Sequence, residues 1–376
     1  MLSSAEDESI FAFEKETKKM FDNENGMFIK PSDENLQYMG RIDWADKSAP
    51  VLVYPYTTIK THFTGKTVKI CLKNHRGCWD NYLGVIVDGE QKKFLLPHDD
   101  EAVCLTIAEN LSEGWHELIV FKRMDSCHTI TFLGLYFDKD AALKKPEALP
   151  QRKIEVYGDS VSAGEVSEAV EYAGKPDPEH QGEYSNSWYA YTAMTARKLN
   201  AQLHDIAQGG IALLDDTGWF HAPDYIGIES TWDKIEYNPE TGEHMVPWDF
   251  EKYTPHVVIV AIGQNDNHPD DYMAEDYNCE RAKVWREHYE QFIRKIREKY
   301  PKALIILATT ILMHDENWDK SIDEVCRKLN DEKIVHFLYS NNGSGTPGHI
   351  RIMEAQQMAD ELSDFIEGFG ERVWEA

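Results

Sequence analysis

Two stretches decide the fold: IEVYGDS at residues 154–160 and VVIVAIGQND at residues 257–266. Each is a short apolar run that stops at a glycine followed by polar residues, the pattern of a buried parallel strand giving way to a loop. Runs of the same kind stand at 202–207, 303–309 and 334–339. Between them the stretches 187–200, 280–299, 321–330 and 350–369 have helical spacing. The order βαβα calls for a parallel sheet with helices on both faces, and such sheets present ligand-binding groups at the carboxyl ends of their strands.

Upstream the period changes from helical to two. Val68, Ile70 and Leu72 alternate with Thr67, Lys69, Cys71 and Lys73, as in a strand with one buried face. Residues 82–87 lead into Asp88-Gly89, a dipeptide suited to a tight hairpin turn, with 92–96 returning beside them. The runs 115–122 and 129–137 follow without helical patterns between, so this half reads as an all-β sandwich. DKDAALKKPEALPQRK, residues 138–153, carries two prolines and mixed charge and reads as a linker. Residues 9–21 place Ile10, Phe13, Met20 and Phe21 on one helical face, for docking on the chain's own core or on a second copy, which leaves a homo-oligomer open. The expected division is 1–25 a helical arm, 26–145 the β-sandwich and 146–376 the α/β domain.

The chain has 376 residues and a net charge of -27. That charge repels phosphate backbones and anionic lipids, so neither nucleic acid nor a membrane is expected as partner. No apolar run near the N-terminus has the length of a secretory signal, and the longest, 303–313, is about half of the ~20 residues that span a bilayer. The six cysteines include no C-x-x-C pair and are expected as thiols in a reducing cytoplasm.

Four polar signals follow four different strands. Ser160 in Gly158-Asp159-Ser160 ends the first, although no G-x-S-x-G elbow occurs. Gly209 and Gly210 follow the second, where glycine lets a backbone N–H approach a ligand. Asn265 in Gly263-Gln264-Asn265-Asp266 follows the third, and His349 in Gly345-Thr346-Pro347-Gly348-His349 follows the last. Each alone reads as a turn, a cap or a structural histidine. Gathered at one sheet edge they supply a hydroxyl nucleophile, an imidazole base and N–H donors for an oxyanion, the parts of acyl transfer.

The order GDS, Gly, GxND, His resembles the SGNH (GDSL-type) hydrolases. The stretch YMGRIDWADKSAPVLVYPYTTIKTHFTG, with VIVDG and GWHELIVFKR, is similar to the N-terminal jelly roll of carbohydrate esterase family 2. The resemblance implies an all-β jelly-roll sandwich followed by a three-layer α/β SGNH hydrolase domain with a parallel sheet. It also implies an acetylxylan esterase-type serine enzyme without metal or organic cofactor, acting on acetylated oligosaccharide or polysaccharide. Ser160 matches the nucleophile and His349 the base; the Ser160 and Gly210 backbone N–H groups and the Asn265 side chain match the oxyanion donors, with Gly209 one position away. Asp159 and Asp266 are expected to hold loops. Where most of the superfamily has Asp three residues before the histidine, this chain has Thr346. A carboxylate triad is therefore doubtful, and either a backbone carbonyl or a remote acid such as Glu165 or Glu179 is left to orient the ring. Aromatic residues from Trp219 to Trp232, including Phe220 and Tyr225, are candidates for sugar contact or for core packing. Rival readings are a lipolytic or thioesterase-type SGNH hydrolase and a non-catalytic carbohydrate-binding protein.

Overall fold

The computed structural model describes residues 26–237 and 245–375. The helical arm expected before residue 26 lies outside them. The chain folds as two compact units. The first holds the described residues up to Val53, with Thr57–Lys122 and Cys127–Ala148; the second holds Tyr54–Tyr56, Arg123–Ser126 and the described residues from Leu149 onward. Among the described residues no helix is long and apolar enough to cross a membrane.

Among the described residues the first unit contains twelve strands: β1 (Met27–Ile29), β2 (Gln37–Met39), β3 (Ile42–Asp43), β4 (Val51–Leu52), β5 (Thr58–Thr64), β6 (Val68–His75), β7 (Tyr82–Val87), β8 (Glu90–Leu95), β9 (Val103–Ala108), β10 (Trp115–Lys122), β11 (Thr129–Phe137) and β12 (Leu143–Lys144). They form two antiparallel sheets, β3-β4-β11-β6-β9 with β1 on β11, and β12-β5-β10-β7-β8 with β2 on β5. The alternation in β6 works as read: Val68, Ile70 and Leu72 are buried in the core shared with Phe63, Leu118 and Phe132, each such side chain contributing about 1.5–3 kcal/mol. Asp88 and Gly89 both have positive φ (51° and 87°), the backbone that matches a two-residue turn to the twist of β7 and β8.

Two expectations fail in this unit. Residues 138–153 are not wholly a linker, because Leu143 and Lys144 pair with Phe63 and His62 of β5. Nor are all six cysteines thiols. Cys71 faces Cys104 across β6 and β9 and the two form a disulfide. Cys71 belongs to a second small core with Ala49, Leu133 and Tyr136, so the outer face of β6 is covered at that position, while Lys69, Lys73 and His75 on the same face stay half-buried. The 33-residue separation of the pair gave no spacing signal; only strand register brings the sulfurs together.

The second unit contains β13 (Arg152–Gly158), β14 (Ala201–Ala207), the short pair β15 (Lys234–Glu236) and β16 (Val246–Pro247), then β17 (Val257–Ala261), β18 (Leu304–Ala308) and β19 (Ile334–His336). Its main sheet has the order β14-β13-β17-β18-β19 and every pairing is parallel. Its helices are α1 (Ser160–Ala163), α2 (Tyr191–Lys198), α3 (Ile228–Thr231), α4 (Tyr272–Glu275), α5 (Glu280–Lys299), α6 (Glu316–Leu329) and α7 (Ile352–Glu367). In α5 the buried positions Ala282, Trp285, Tyr289, Phe292, Ile293 and Ile296 recur at helical spacing. Helix α6 starts five residues before the expected 321 because Asp315 caps it, accepting from Asn317 N–H at 2.9 Å. The chain leaves β13 toward β14 on one side and later reaches β17 on the other. The strand order therefore reverses between β13 and β17, the position outside whose carboxyl ends open α/β sheets bind their ligands.

Candidate active site

Ser160 and Asn265 stand on the two sides of that reversal, directly after β13 and β17. Ser160 opens α1, whose first turn is capped by Asp159: Oδ1 accepts from Val161 N–H at 3.0 Å. The turn closes at Gly164, φ 78°, a left-handed position where a Cβ would meet Asn186 O at 2.6 Å, so glycine is required. Asp159 is buried and spans two strand ends, its Oδ2 accepting from Gln264 Nε2 (3.0 Å) and Asn265 Nδ2 (3.2 Å). Burial pushes the Asp159 carboxyl up, opposed by the Gln264 and Val161 bonds and by the charge of His349. Asp266 accepts from Leu213 N–H at 2.9 Å, so both aspartates hold loops. Asn265 Nδ2 also donates to Ile211 O at 3.1 Å. Both of its amide hydrogens thus have acceptors, and an incoming oxygen has to compete for one of them.

The glycine block separates its two candidates. Gly209 N–H donates to Asp125 Oδ2 at 2.8 Å, which commits that donor. Gly210 lies at φ 73°, and a Cβ there would meet Trp219 Cβ at 2.8 Å. Its carbonyl accepts from the backbone N–H groups of Trp219 (2.8 Å) and Phe220 (3.2 Å). The supporting carboxylate comes from a segment that carries no motif in the sequence. Asp125 Oδ2 also accepts from Gln208 Nε2 at 2.6 Å, and Ser126 Oγ donates to Ala207 O at 3.1 Å. Arg123 donates to Glu168 and to Ser185 O. Residues Arg123–Ser126 lie in sequence between two strands of the first unit yet belong to the second.

His349 sits in the loop between β19 and α7. Its Nδ1–H donates to Asp177 Oδ2 at 2.5 Å and its backbone N–H to Asp177 Oδ1 at 3.0 Å. Arg351 Nη2 donates to the same Oδ1 at 2.7 Å, and Arg351 is 1% exposed. Burial alone would raise the Asp177 carboxyl, but the bonds and charges of His349 and Arg351 hold it well below the usual carboxylate range. The doubt about a carboxylate partner is therefore corrected: the acid orienting His349 is Asp177, neither a backbone carbonyl nor Glu179. Glu165 lies on the other side of the ring, Oε2 3.9 Å from Nε2. Thr346 instead braces the loop, its carbonyl accepting from Met313 N–H at 2.8 Å. The approach of the 175–177 segment was signalled only by Gly348, where a Cβ would meet Lys175 O at 2.6 Å. No hydrogen bond joins Ser160 Oγ to His349 Nε2 among the described residues.

Of the aromatic stretch, Phe220 and Trp232 are buried in the core while Trp219 is 59% exposed. Its indole stacks on His268 at 3.5 Å between centroids, and His268 Nδ1 donates to Gly218 O at 2.6 Å. Trp219 is thus fixed on Gly210 from one side and on the loop after Asn265 from the other.

Comparison with known proteins follows the same two-part division. Residues 38–146 match the model "Carbohydrate esterase 2 N-terminal" and residues 156–338 match "GDSL-like Lipase/Acylhydrolase family". The chain carries a carbohydrate esterase 2 N-terminal domain followed by a GDSL-like domain. A cellulase/esterase, CelE, of Acetivibrio thermocellus is 29% identical over 89% of this chain, which spans 39% of that relative's length. An acetylxylan esterase / glucomannan deacetylase of Cellvibrio japonicus is 25% identical over 89% of each. A family two carbohydrate esterase from Clostridium thermocellum, solved with cellohexaose, superposes with TM-score 0.74 and 25% identity, covering 90% of this chain and 99% of the other. The two antiparallel sheets followed by a parallel five-stranded sheet with helices are the fold of this family two neighbour, as the sequence leads one to expect.

Proposed function

We propose that the chain is a serine esterase that removes acetyl groups from sugar hydroxyls, using Ser160 as nucleophile. His349 takes the Ser160 Oγ proton while that oxygen attacks the acetyl carbonyl. The Ser160 and Gly210 N–H groups and the Asn265 amide receive the oxyanion. As the C–O bond to the sugar breaks, the imidazolium returns its proton to the leaving alkoxide. Water, deprotonated by the same imidazole, then attacks the acetyl-serine; the bond from the acetyl carbon to Ser160 Oγ breaks, the imidazolium returns its proton to Oγ, and acetate leaves. Asp177 and Arg351 are positioning residues: the carboxylate keeps the His349 proton on Nδ1 and leaves the Nε2 lone pair for the serine, then stabilises the imidazolium.

The observation that carries this reading is the Asp177–His349 bond, made after β19 at the same carboxyl edge of the parallel sheet that Ser160 follows at the end of β13. The sugar O-acetyl substrate is proposed because the relatives are named acetylxylan esterase and carbohydrate esterase and because Trp219 offers an exposed ring face beside Gly210. Xylan-derived oligosaccharides are the proposed class. The test is acetate release from acetylated xylo-oligosaccharides, run beside acetyl and octanoyl p-nitrophenyl esters. Preference for octanoyl would favour the lipolytic alternative, and sugar binding without turnover the carbohydrate-binding one. A cytoplasmic location, read from the sequence, now competes with the Cys71–Cys104 bond, since disulfides persist chiefly in oxidising compartments. Alkylation of Cys71 in unreduced native protein would restore the cytoplasmic reading.

A further inference from the structure

Cys78, Cys127 and His128 bring three soft ligand atoms within 4.8 Å of one another in the first unit. Cys78 Sγ stands 3.7 Å from Cys127 Sγ and 3.8 Å from His128 Nε2. For tetrahedral zinc, with Zn–S about 2.3 Å and Zn–N about 2.0–2.1 Å, the corresponding edges are about 3.8 and 3.6 Å. Distance therefore does not separate a metal centre from a dithiol. The imidazole does. Gly77 N–H donates to His128 Nδ1 at 3.3 Å, so Nδ1 is the acceptor of the neutral ring and the proton sits on Nε2. A protonated Nε2 has no lone pair for a cation, but it has a hydrogen to give to a thiolate.

Cys78 is exposed and Cys127 is buried, so a dissolved oxidant meets Cys78 first. We propose that Cys78 and Cys127 are an oxidisable dithiol, with a hydroperoxide as oxidant and His128 Nε2–H as the hydrogen-bond donor to the Cys78 thiolate. The Cys78 sulfur attacks one peroxide oxygen, the O–O bond breaks, and the departing oxygen leaves as water or alcohol after taking a proton. Cys78 is then a sulfenic acid. The Cys127 sulfur gives up its proton and attacks the Cys78 sulfur; the S–O bond breaks and water leaves. The two sulfurs lose two electrons and the peroxide gains two. To bond, the sulfurs must close by roughly 1.7 Å, to an S–S length of about 2.05 Å.

The experiment uses the whole purified chain. It is treated with graded hydrogen peroxide, blocked with N-ethylmaleimide and digested without reduction for peptide mass mapping. A cross-linked Cys78–Cys127 peptide that grows with peroxide and disappears with dithiothreitol is the expected result. In Cys127→Ser, dimedone should label Cys78 several-fold more than Cys326, whose thiol is pushed up by burial. The proposal is overturned if Cys78 and Cys127 stay separately alkylated at peroxide levels that modify Cys326. It is equally overturned if the isolated protein holds stoichiometric metal that must be chelated before these thiols react.

Discussion

Replacing Asp177 with Asn should slow the enzyme more than replacing it with Ala, although Asn preserves the shape of the site better. The reason lies in where the donors stand. Among the described residues Oδ1 receives Arg351 Nη2 at 2.7 Å and His349 N–H at 3.0 Å, while Oδ2 receives only His349 Nδ1–H, at 2.5 Å. In Asp177→Asn the side-chain amide keeps its single oxygen toward the two fixed donors, which turns its NH2 toward His349 Nδ1. That nitrogen must then accept, the ring proton moves to Nε2, and the imidazole can no longer take the serine proton. In serine proteases the equivalent wrong tautomer lowers turnover by about 10⁴, or about 5.4 kcal/mol at 1.36 kcal/mol per decade. Asp177→Ala leaves the tautomer free, so its loss in kcat should be smaller, on the order of 10²–10³, with some fraction of correctly protonated rings. Its fold should suffer more, because a buried Arg351 cation left without its carboxylate costs up to about 3–5 kcal/mol. Steady-state hydrolysis of p-nitrophenyl acetate, paired with urea unfolding of each variant, reads both orders. The reasoning is refuted if Asp177→Asn keeps kcat within threefold of the parent, or if Asp177→Ala is the slower variant while equally folded.

Asp125→Ala removes the acceptor of Gly209 N–H and Gln208 Nε2; kcat should fall by up to about 10²-fold through misplacement of the glycine loop, with KM for acetyl esters little changed, and a pure rise in KM would contradict this. Burial raises the Asp266 carboxyl to about 6 despite its bonds to Leu213 and Leu214. A raised carboxyl binds its proton more tightly folded than unfolded, so its contribution to stability should decline as pH rises from about 4 to about 6, by at most about 3 kcal/mol. Asp266→Asn should flatten that part of the urea-stability profile, and an unchanged slope would argue against the assignment. Trp219→Ala should raise KM for acetylated oligosaccharides by about fivefold, as expected for ~1 kcal/mol of ring stacking, while leaving p-nitrophenyl acetate turnover unchanged; equal effects on both substrates would remove Trp219 from sugar contact.

The architecture was legible because burial imposes period. The two-residue alternation of Val68, Ile70 and Leu72 and the continuous apolar run VVIVAI each state how many faces of a strand are covered. Strand ends then located Ser160 and Asn265, since Gly158 and Gly263 mark where the sheet stops. What lacks period was not legible. Asp177 lies between Pro176 and Pro178 in an irregular loop, 172 residues from its partner, and nothing in its neighbourhood distinguishes it from Glu179. The choice between Gly209 and Gly210 depends on Asp125, which a reading by domain assigns to the sandwich. The Cys71–Cys104 bond depends on the register of two strands separated by two others in sequence. Only the first turn of the helix that begins at Glu316 escaped, for a local reason: its cap Asp315 follows the strand and loop from Ala303 to His314 with no glycine or proline to separate them.

The central claim concerns a covalent bond and is tested most directly by looking for it. Rapid acid quench of the full chain with an acetyl ester, followed by peptide mass mapping, should find an acetyl group on Ser160 in the parent. Trapping should be absent in Ser160→Ala, where turnover should also drop by about 10⁶. An acetylated residue elsewhere, or a Ser160→Ala enzyme that turns over at the parental rate, would contradict the account.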